Sequence, residues 1–227
     1  MTNSDRLPLA LLTLTGVTGV IDAVSFLGLG RVFTANMTGN VVLLGFAVAG
    51  APGLSIPRSA VSLVAFLVGA GAGGHMGHSM AGGSRRWWLL TAGLGEAALL
   101  CAAALASMGV AGAVEVPTSR IYAVIALTAV AMGLRNATVR RLAVPDLTTT
   151  VLTLTLTGVV ADSSLAGGDN TRIGRRLLSV AAMFAGAVIG TLLLPHGLAL
   201  PLTLSAICVL AATYAAVSAS PPATANH

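Results

Sequence analysis

The stretch "GRVFTANMTGNVV", Gly30 to Val42, interrupts a chain that is otherwise almost continuously apolar. Two Asn, two Thr and one Arg lie here between long runs of Leu, Val, Ala and Gly. A buried polar group is destabilising unless it has a hydrogen-bond partner. The stretch therefore predicts a break in a helical structure, and the surrounding composition decides where that break lies.

The composition predicts an integral membrane protein. Of the 227 residues, 56% are hydrophobic and only 8% are charged, and long stretches carry no charge. A soluble domain of this size needs far more polar surface. All 12 basic residues are Arg and lie between apolar runs, so we interpret the net charge of +5 as a topology signal and expect no nucleic-acid partner. We expect residues 1–227 to form a single transmembrane domain in a lipid bilayer.

Hydropathy divides the chain into eight apolar segments. Most have about 20 residues or more, enough for a helix to cross a hydrocarbon core of roughly 30 Å. The second and sixth segments are shorter and more polar. The segments lie at about 7–29, 33–50, 57–80, 87–112, 118–139, 147–163, 173–194 and 197–217.

The second half of the chain resembles the first. Laid on the first half with an offset of 114 residues, it indicates the duplication of a four-segment unit. We place repeat 1 at about 7–112 and repeat 2 at about 118–217, followed by a short disordered tail at 218–227. The matched positions are Gly19 with Gly133, Asp22 with Asn136, Thr34 with Thr148 and, three residues out of register, the GxxxG pairs beginning at Gly69 and Gly186.

The distribution of the arginines favours one membrane topology for these segments. If all eight cross the bilayer, the arginines divide six against six. If the second and sixth return without crossing, nine lie on one side, Arg135 among them, and only Arg31, Arg58 and Arg120 lie opposite. The second arrangement satisfies the positive-inside rule. We therefore predict an all-α protein with both termini cytoplasmic, whose six transmembrane helices form two inverted-topology three-helix repeats, each with a re-entrant or broken polar segment.

The two polar segments are the candidate binding site. Non-helical backbone at membrane depth is tolerated only when it is buried in protein or lines a cavity. Asn amides and Thr hydroxyls there can replace the hydration shell of a solute, although the same residue types also cap broken helices, and both roles stay open. The candidate substrate-binding residues are Asp22, Thr34, Asn36, Thr38 and Asn40 in the first half and Asn136, Thr148, Thr149, Thr150 and Thr153 in the second.

Asp22 is the leading candidate for a functional ionisable residue. A carboxylate well inside the first span is a candidate for cation contact or proton coupling. The alternative is a structural ion pair with Arg31 or Arg135. Glu96 receives less weight, because two arginines at the start of its segment leave its depth uncertain.

No motif for a metal site, a cofactor or an enzyme stands out. His75 and His78 have metal-like spacing but no third or fourth ligand nearby, so packing at the interface explains them better. The chain lacks G-x-S-x-G, H-E-x-x-H and, having no Lys, a P-loop. We expect no cofactor, no bound metal and no enzymatic activity.

Two blocks resemble a known family. "GVIDAVSFLGLGRVFTANMTGN", Gly19 to Asn40, and "MGLRNATVRRLAVPDLTTTVLTLTLT", Met132 to Thr157, are similar to the shared regions of the YoaK-like family of bacterial membrane proteins. The resemblance runs over nearly the whole chain and implies six spans in the bacterial cytoplasmic membrane. It implies no substrate. Leu154 follows Thr153 where the family pattern suggests Gly, so the two polar segments differ chemically.

Two functions are compatible with this sequence. The first is a small-solute transporter or channel whose path lies between the repeats near the bilayer midplane, by analogy with inverted-repeat transporters. The second is a non-transporting partner or assembly subunit whose Gly-rich faces bind other helices. The GxxxG pairs also allow a homodimer. A water-accessible cavity at the polar residues would favour the first function.

Overall fold

The computed structural model describes residues 3–108, 118–143, 152–164, 167–168, 170 and 173–219. Every regular element in these ranges is helical, which confirms the all-α class. The predicted tail lies outside them from residue 220 onward. The α-helices are α1 (Asn3–Ala23), α2 (Met37–Val48), α3 (Ile56–Ser79), α4 (Arg85–Ala106), α5 (Thr118–Leu142), α6 (Leu152–Ala161), α7 (Ile173–Leu193) and α8 (Ala199–Ala219).

Six of these helices are long and apolar enough to cross a membrane, in agreement with the predicted number of spans. A π turn, Val24–Gly28, extends α1, and a 3-10 turn, Leu194–His196, extends α7. The helices α2 and α6 have 12 and 10 residues. At 1.5 Å per residue they are about 18 and 15 Å long, too short for a hydrocarbon core of roughly 30 Å.

The break between α1 and α2 has a local cause. The π turn at Val24–Gly28 loosens the last turn of α1, and Gly30 and Arg31 then adopt positive φ angles of 90° and 60°. These left-handed conformations end the helix, and the backbone N–H of Arg31 donates to the carbonyl of Phe26 at 2.9 Å. The chain then runs back without regular structure to Asn36, the N-cap of α2. Single π turns of this kind are frequent at functional sites.

The helices α1 and α7 cross at very close range. A Cβ atom added to Gly19 would overlap the backbone carbonyl of Met183, and one added to Gly186 would overlap that of Gly16. Such contact is available only to residues without a side chain, and it is typical of small-residue helix crossings in membranes.

The helices α3 and α5 cross in the same way. A Cβ at Gly133 would overlap the carbonyl of Phe66, and one at Gly69 would overlap that of Val130. The α5 positions lie 114 residues beyond their α1 equivalents, and the α3 positions lie 117 residues before their α7 equivalents. The repeated sequence pattern therefore corresponds to two helix crossings with the same contacts.

Two contacts indicate which helix ends lie together. Leu7 near the start of α1 and Ala216 near the end of α8 line the same small cavity. The start of α1 and the end of α8 therefore lie on one side of the bundle. Gly30, after α1, lies against the guanidinium group of Arg58, near the start of α3. The segment between α1 and α3 thus begins and ends at one end of the bundle.

Arg135 does not lie where the arginine count placed it. Its side chain is buried in α5, with 2% of the residue exposed. Counting it on one side of the membrane was wrong, because an acidic partner inside the bundle holds it there. Without it the division is eight against three, which still satisfies the positive-inside rule.

Candidate functional site

The backbone after α1 folds back onto the side chain of Asp22. Asp22 lies in the last turn of α1, shortly before the π turn, and is 8% exposed. Its Oδ1 accepts a hydrogen bond from the backbone N–H of Ala35 at 3.3 Å, and the N–H of Asn36 also interacts with the carboxylate. Its partners on this side are backbone amides, which are dipoles without a full charge.

Asp22 faces a cavity of about 550 Å³. Both halves of the chain form its walls: α1, α2 and the segment joining them on one side, and α6 and α7 on the other. This volume falls in the range of small-molecule sites. The lining residues are Thr18, Asp22, Phe33, Ala35, Asn36, Thr38, Gly39, Val42, Leu43, Leu152, Thr153 and Met183.

Four of the predicted site residues meet at this cavity. Asp22, Asn36, Thr38 and Thr153 all line it, although they come from α1, α2 and α6. Asn36 also caps α2, because its Oδ1 accepts from the backbone N–H of Gly39 at 3.1 Å. The two roles weighed for the polar residues, lining and capping, thus coincide in Asn36.

Asn40 and Thr34 lie outside the cavity lining. Both are fully buried. Asn40 fixes the cavity wall: its Oδ1 accepts from the N–H of Phe33 at 2.9 Å, and its amide nitrogen donates to the carbonyl of Phe33 and to Ser62 Oγ. The Thr34 hydroxyl has no hydrogen-bond partner among the residues that the structure describes.

The second-half candidates are only partly described. Asn136 lies in α5, where its amide donates to the carbonyl of Met132 at 2.8 Å, and it is absent from the cavity lining. Thr148, Thr149 and Thr150 lie outside the described residues. The described contribution of the second half therefore comes from the start of α6 and from α7.

Comparison with known proteins agrees with this architecture. The family model described as "Protein of unknown function (DUF1275)" matches residues 10–215. The chain belongs to the DUF1275 family. One relative is the UPF0700 transmembrane protein YoaK of Bacillus subtilis (strain 168), which is 34% identical over 160 residues. The aligned region covers 69% of this chain and 66% of that relative, slightly under two thirds of its length. No solved structure matches the chain.

Both comparisons bear on the predictions. The YoaK-like resemblance is confirmed, and a multi-pass membrane protein is supported by the six apolar helices together with the transmembrane relative. Neither comparison carries an activity or a substrate, so function must be argued from the geometry.

This DUF1275 chain also contains a buried ion pair that sequence reasoning missed. Arg135 of α5 donates from Nε to Glu96 Oε1 of α4 at 2.7 Å, and a second guanidinium nitrogen contacts the same oxygen. A third nitrogen donates to the carbonyl of Leu14 at 2.9 Å and to Thr18 Oγ1 at 3.0 Å. The pair with Glu96 means that Arg135 is not the partner of Asp22.

Sequence position contained a signal for this ion pair. Glu96 lies 11 residues beyond the start of α4 at Arg85, which at 1.5 Å per residue places it about 16 Å along the helix. That depth puts the carboxylate near the middle of a span. The second arginine considered for Asp22, Arg31, is exposed and lies instead against Gly53.

The ion pair lines a small cavity and is linked to the larger one through Thr18. A smaller cavity of about 40 Å³ is lined by Leu7, Leu11 and Leu14 of α1 and by Glu96 and Arg135. The positions 7, 11, 14, 18 and 22 of α1 repeat every three or four residues and so share one helix face. Thr18, on that face, lines the larger cavity while it accepts the hydrogen bond from Arg135.

No metal-ligand cluster is present in the described part of the chain, where no three His, Cys, Asp or Glu side chains are grouped. His75 and His78 are both exposed near the end of α3. Cys101 and Cys208 are free thiols.

Proposed function

We propose that the protein is a small-solute membrane transporter or channel and that the 550 Å³ cavity is its binding site. The observation that carries this proposal is the position of Asp22. Its carboxylate is buried within a span and faces a cavity formed by both halves of the chain. It has no cationic partner among the described residues. Ionisable residues inside a membrane that face a cavity typically mark solute or ion pathways.

The proposed architecture is a pair of inverted-topology repeats of three spans, with α2 and α6 as re-entrant segments. The matching α1–α7 and α3–α5 crossings support it, because each joins one half to the other through equivalent glycines. The contact between Gly30 and Arg58 supports a first short segment that starts and ends at the same side. Sites between such repeats, formed by broken helices, are common in secondary transporters.

The barrier to the solute is the ion pair of Glu96 and Arg135 together with Thr18. These side chains separate the large cavity from the small one, which extends toward the end of the bundle where α1 begins and α8 ends. A movement of α1 against α4 and α5 would open the small cavity toward the larger one. Movement of one repeat against the other around a fixed site is the usual basis of alternating access.

We place the protein in the bacterial cytoplasmic membrane with both termini cytoplasmic. The division of eight arginines against three, with Arg135 left out, supports this orientation. Reporter fusions after Arg58 and after Arg172 test it, because the proposal expects them on opposite sides. Fusions that report the same side would refute both the orientation and the re-entrant segments.

A water-accessibility experiment tests the binding cavity. In a chain carrying Cys101→Ala and Cys208→Ala, Thr153→Cys and Leu154→Cys are compared for reaction with a membrane-impermeant, charged methanethiosulfonate reagent. Both side chains are exposed, but Thr153 lines the cavity, whereas Leu154, at 71% exposure, is absent from the cavity lining. The proposal expects Thr153→Cys to react much faster. Equal and slow reaction at both positions would indicate a sealed cavity and favour the partner-subunit alternative.

A ligand screen tests the solute site directly. The purified protein in detergent is heated with ions, amino acids, sugars, nucleobases and amphipathic drugs, since a ligand that binds the folded state raises the melting temperature. Compounds that shift the parent are then tested for uptake into liposomes containing the protein. The proposal expects shift and uptake to be lost in Asp22→Asn and weakened in Asn36→Ala.

A further inference from the structure

We propose that the solute is an organic cation, a protonated amine attached to an apolar body. This inference rests on the proposed function, because it names the class of solute that the same cavity binds. Charge, size and the chemistry of the walls support it independently.

The charge balance around the cavity favours a cation. Arg135 and Glu96 neutralise each other, and both are almost completely buried. Asp22 then remains with its charge faced only by the backbone N–H groups of Ala35 and Asn36. A carboxylate without a counter-charge from the chain attracts cations, and a bound amine would supply the missing charge.

The size of the cavity favours an organic molecule over a bare metal ion. Its volume of about 550 Å³ is many times the roughly 30 Å³ that one water molecule occupies in the liquid. Ca²⁺ takes six to eight oxygen ligands at 2.3–2.6 Å, yet Asp22 is the single carboxylate among the residues that line this cavity. A drug-sized solute, in contrast, fills a space of this volume.

The walls have the two kinds of surface that an amine needs. Apolar side chains on several elements, including Phe33, Leu43 and Met183, can bury the hydrocarbon part of the solute. The ring of Phe33 stacks on Phe26 at 4.9 Å between centroids, so it is held as a fixed aromatic surface. An ammonium group carries only donors, and the carboxylate and hydroxyl oxygens on the cavity wall accept hydrogen bonds.

Three side chains would bind the ammonium group of the solute. Asp22 would pair with the ammonium group through lone pairs not used by Ala35, and the hydroxyls of Thr38 and Thr153 would accept its remaining hydrogens. These two threonines come from opposite halves of the chain. The bound amine would therefore contact both α2 and α6.

A matched set of three probes tests the class of solute. Phenethylamine, 2-phenylethanol and 3-phenylpropionate share an aromatic body and differ in carrying a positive, a zero or a negative charge at neutral pH. Each is tested for a melting-temperature shift and, in proteoliposomes, for uptake quantified by mass spectrometry, a readout that does not depend on the charge of the probe. Protein-free liposomes correct for passive permeation, and NaCl and KCl alone test for inorganic cations.

We expect phenethylamine to raise the melting temperature and to be taken up, with at least a tenfold weaker response to the other two probes. Asp22→Asn should abolish the response. Asp162→Asn, which removes an exposed carboxylate paired with Arg176 outside the cavity, should retain it.

The contrary outcomes separate the two proposals. An Asp22-dependent response to the alcohol, the carboxylate or Na⁺ in place of the amine would overturn the organic-cation assignment and leave the transporter proposal standing. No response to any probe, combined with fast labelling of Thr153→Cys, would likewise overturn only the solute class. No response combined with a sealed cavity would overturn both.

Discussion

Asp22 and Glu96 are both carboxylates buried inside membrane-spanning helices, yet their surroundings differ in kind. Glu96 is 4% exposed and is paired with Arg135, a cation of the chain itself. Asp22 is 8% exposed, accepts from backbone amides and faces a 550 Å³ cavity. The first carboxylate is neutralised within the fold, whereas the second has no cationic partner among the described residues.

The contrast shows that depth alone does not identify a functional acid in a membrane protein. Depth makes each carboxylate costly, but the counter-charge decides its role. An acid paired by the chain stabilises one packing arrangement, and an acid that faces a cavity can respond to a solute. Thr18 joins the two environments, because it lines the cavity of Asp22 and accepts from the partner of Glu96.

The largest effect on stability should come from breaking the ion pair. Glu96→Gln leaves the Arg135 guanidinium buried without its counter-charge, and loss of one partner of a buried pair costs about 3–5 kcal/mol. We expect a loss of this size in the free energy of unfolding, measured in detergent with a chemical denaturant.

The double variant Glu96→Leu with Arg135→Met is the matched control for this loss. Replacing both charges by apolar side chains removes the uncompensated charge, so stability should recover to within about 1–2 kcal/mol of the parent. A double variant as unstable as Glu96→Gln would contradict the view that charge compensation dominates here. It would indicate that the hydrogen bonds from Arg135 to α1 carry the stability.

A smaller loss should follow from loosening the wall beside Asp22. Asn40 holds both backbone groups of Phe33, two residues before the amide of Ala35 that donates to Asp22. Asn40→Ala leaves the part-buried N–H of Phe33 without this acceptor, and an unpaired buried group costs about 1–3 kcal/mol. We expect about 2 kcal/mol less stability in the same denaturant measurement.

Ser62→Ala sharpens the interpretation of Asn40→Ala. Ser62 also donates to the carbonyl of Phe33, at 2.6 Å. Its replacement by Ala leaves the N–H of Phe33 paired with Asn40. It should therefore cost less than Asn40→Ala. Equal losses would show that the N–H of Phe33 finds another partner and that Asn40 is not needed to fix the wall.

The sequence predicted the architecture better than the partners within it. Apolar segment lengths determine which helices can cross a bilayer, and these lengths can be measured along the chain. The short polar segments were also recognisable, because Asn, Thr and Gly cluster there in apolar runs too short to span, which is typical of non-helical backbone at membrane depth. Asp22, Asn36, Thr38 and Thr153 were identified on that basis and line one cavity.

What the sequence did not predict depends on packing between distant helices. Glu96 and Arg135 are 39 residues apart, and their pairing requires the particular approach of α4 to α5. The role of Asn40 depends equally on the reversal of the chain at Gly30 and Arg31, whose positive φ angles are visible only in three dimensions. Met183 lines the cavity because of the glycine crossing between α1 and α7.

A substitution of Thr18, which joins the two environments, should have a still smaller effect on the free energy of unfolding. Thr18→Val keeps the shape of the side chain and removes one acceptor from Arg135, which retains Glu96 and the carbonyl of Leu14. A net hydrogen bond to a charged group is worth about 1.5–3 kcal/mol, and we expect about 1 kcal/mol because these two partners remain.

Thr15→Val is the control for Thr18→Val. Thr15 is equally buried on α1 and also donates to the carbonyl four residues earlier, but no contact with Arg135 is present among the described interactions of its side chain. It should change stability by less than Thr18→Val does. A larger loss at Thr15 would mean that the intrahelical hydroxyl bond, and not the contact with Arg135, determines the effect at Thr18.

The smallest effect on stability should come from Asp22→Asn, although this change removes a buried charge. The Asn oxygen can still accept from the N–H of Ala35, and its new amide hydrogens face a cavity wide enough for water. Because no cation of the described chain loses a partner, the free energy of unfolding should stay within about 1 kcal/mol of the parent. The same substitution should abolish the response to phenethylamine. A loss of 3–5 kcal/mol, equal to that of Glu96→Gln, would show that Asp22 is neutralised within the protein, and the two carboxylates would then have the same structural role.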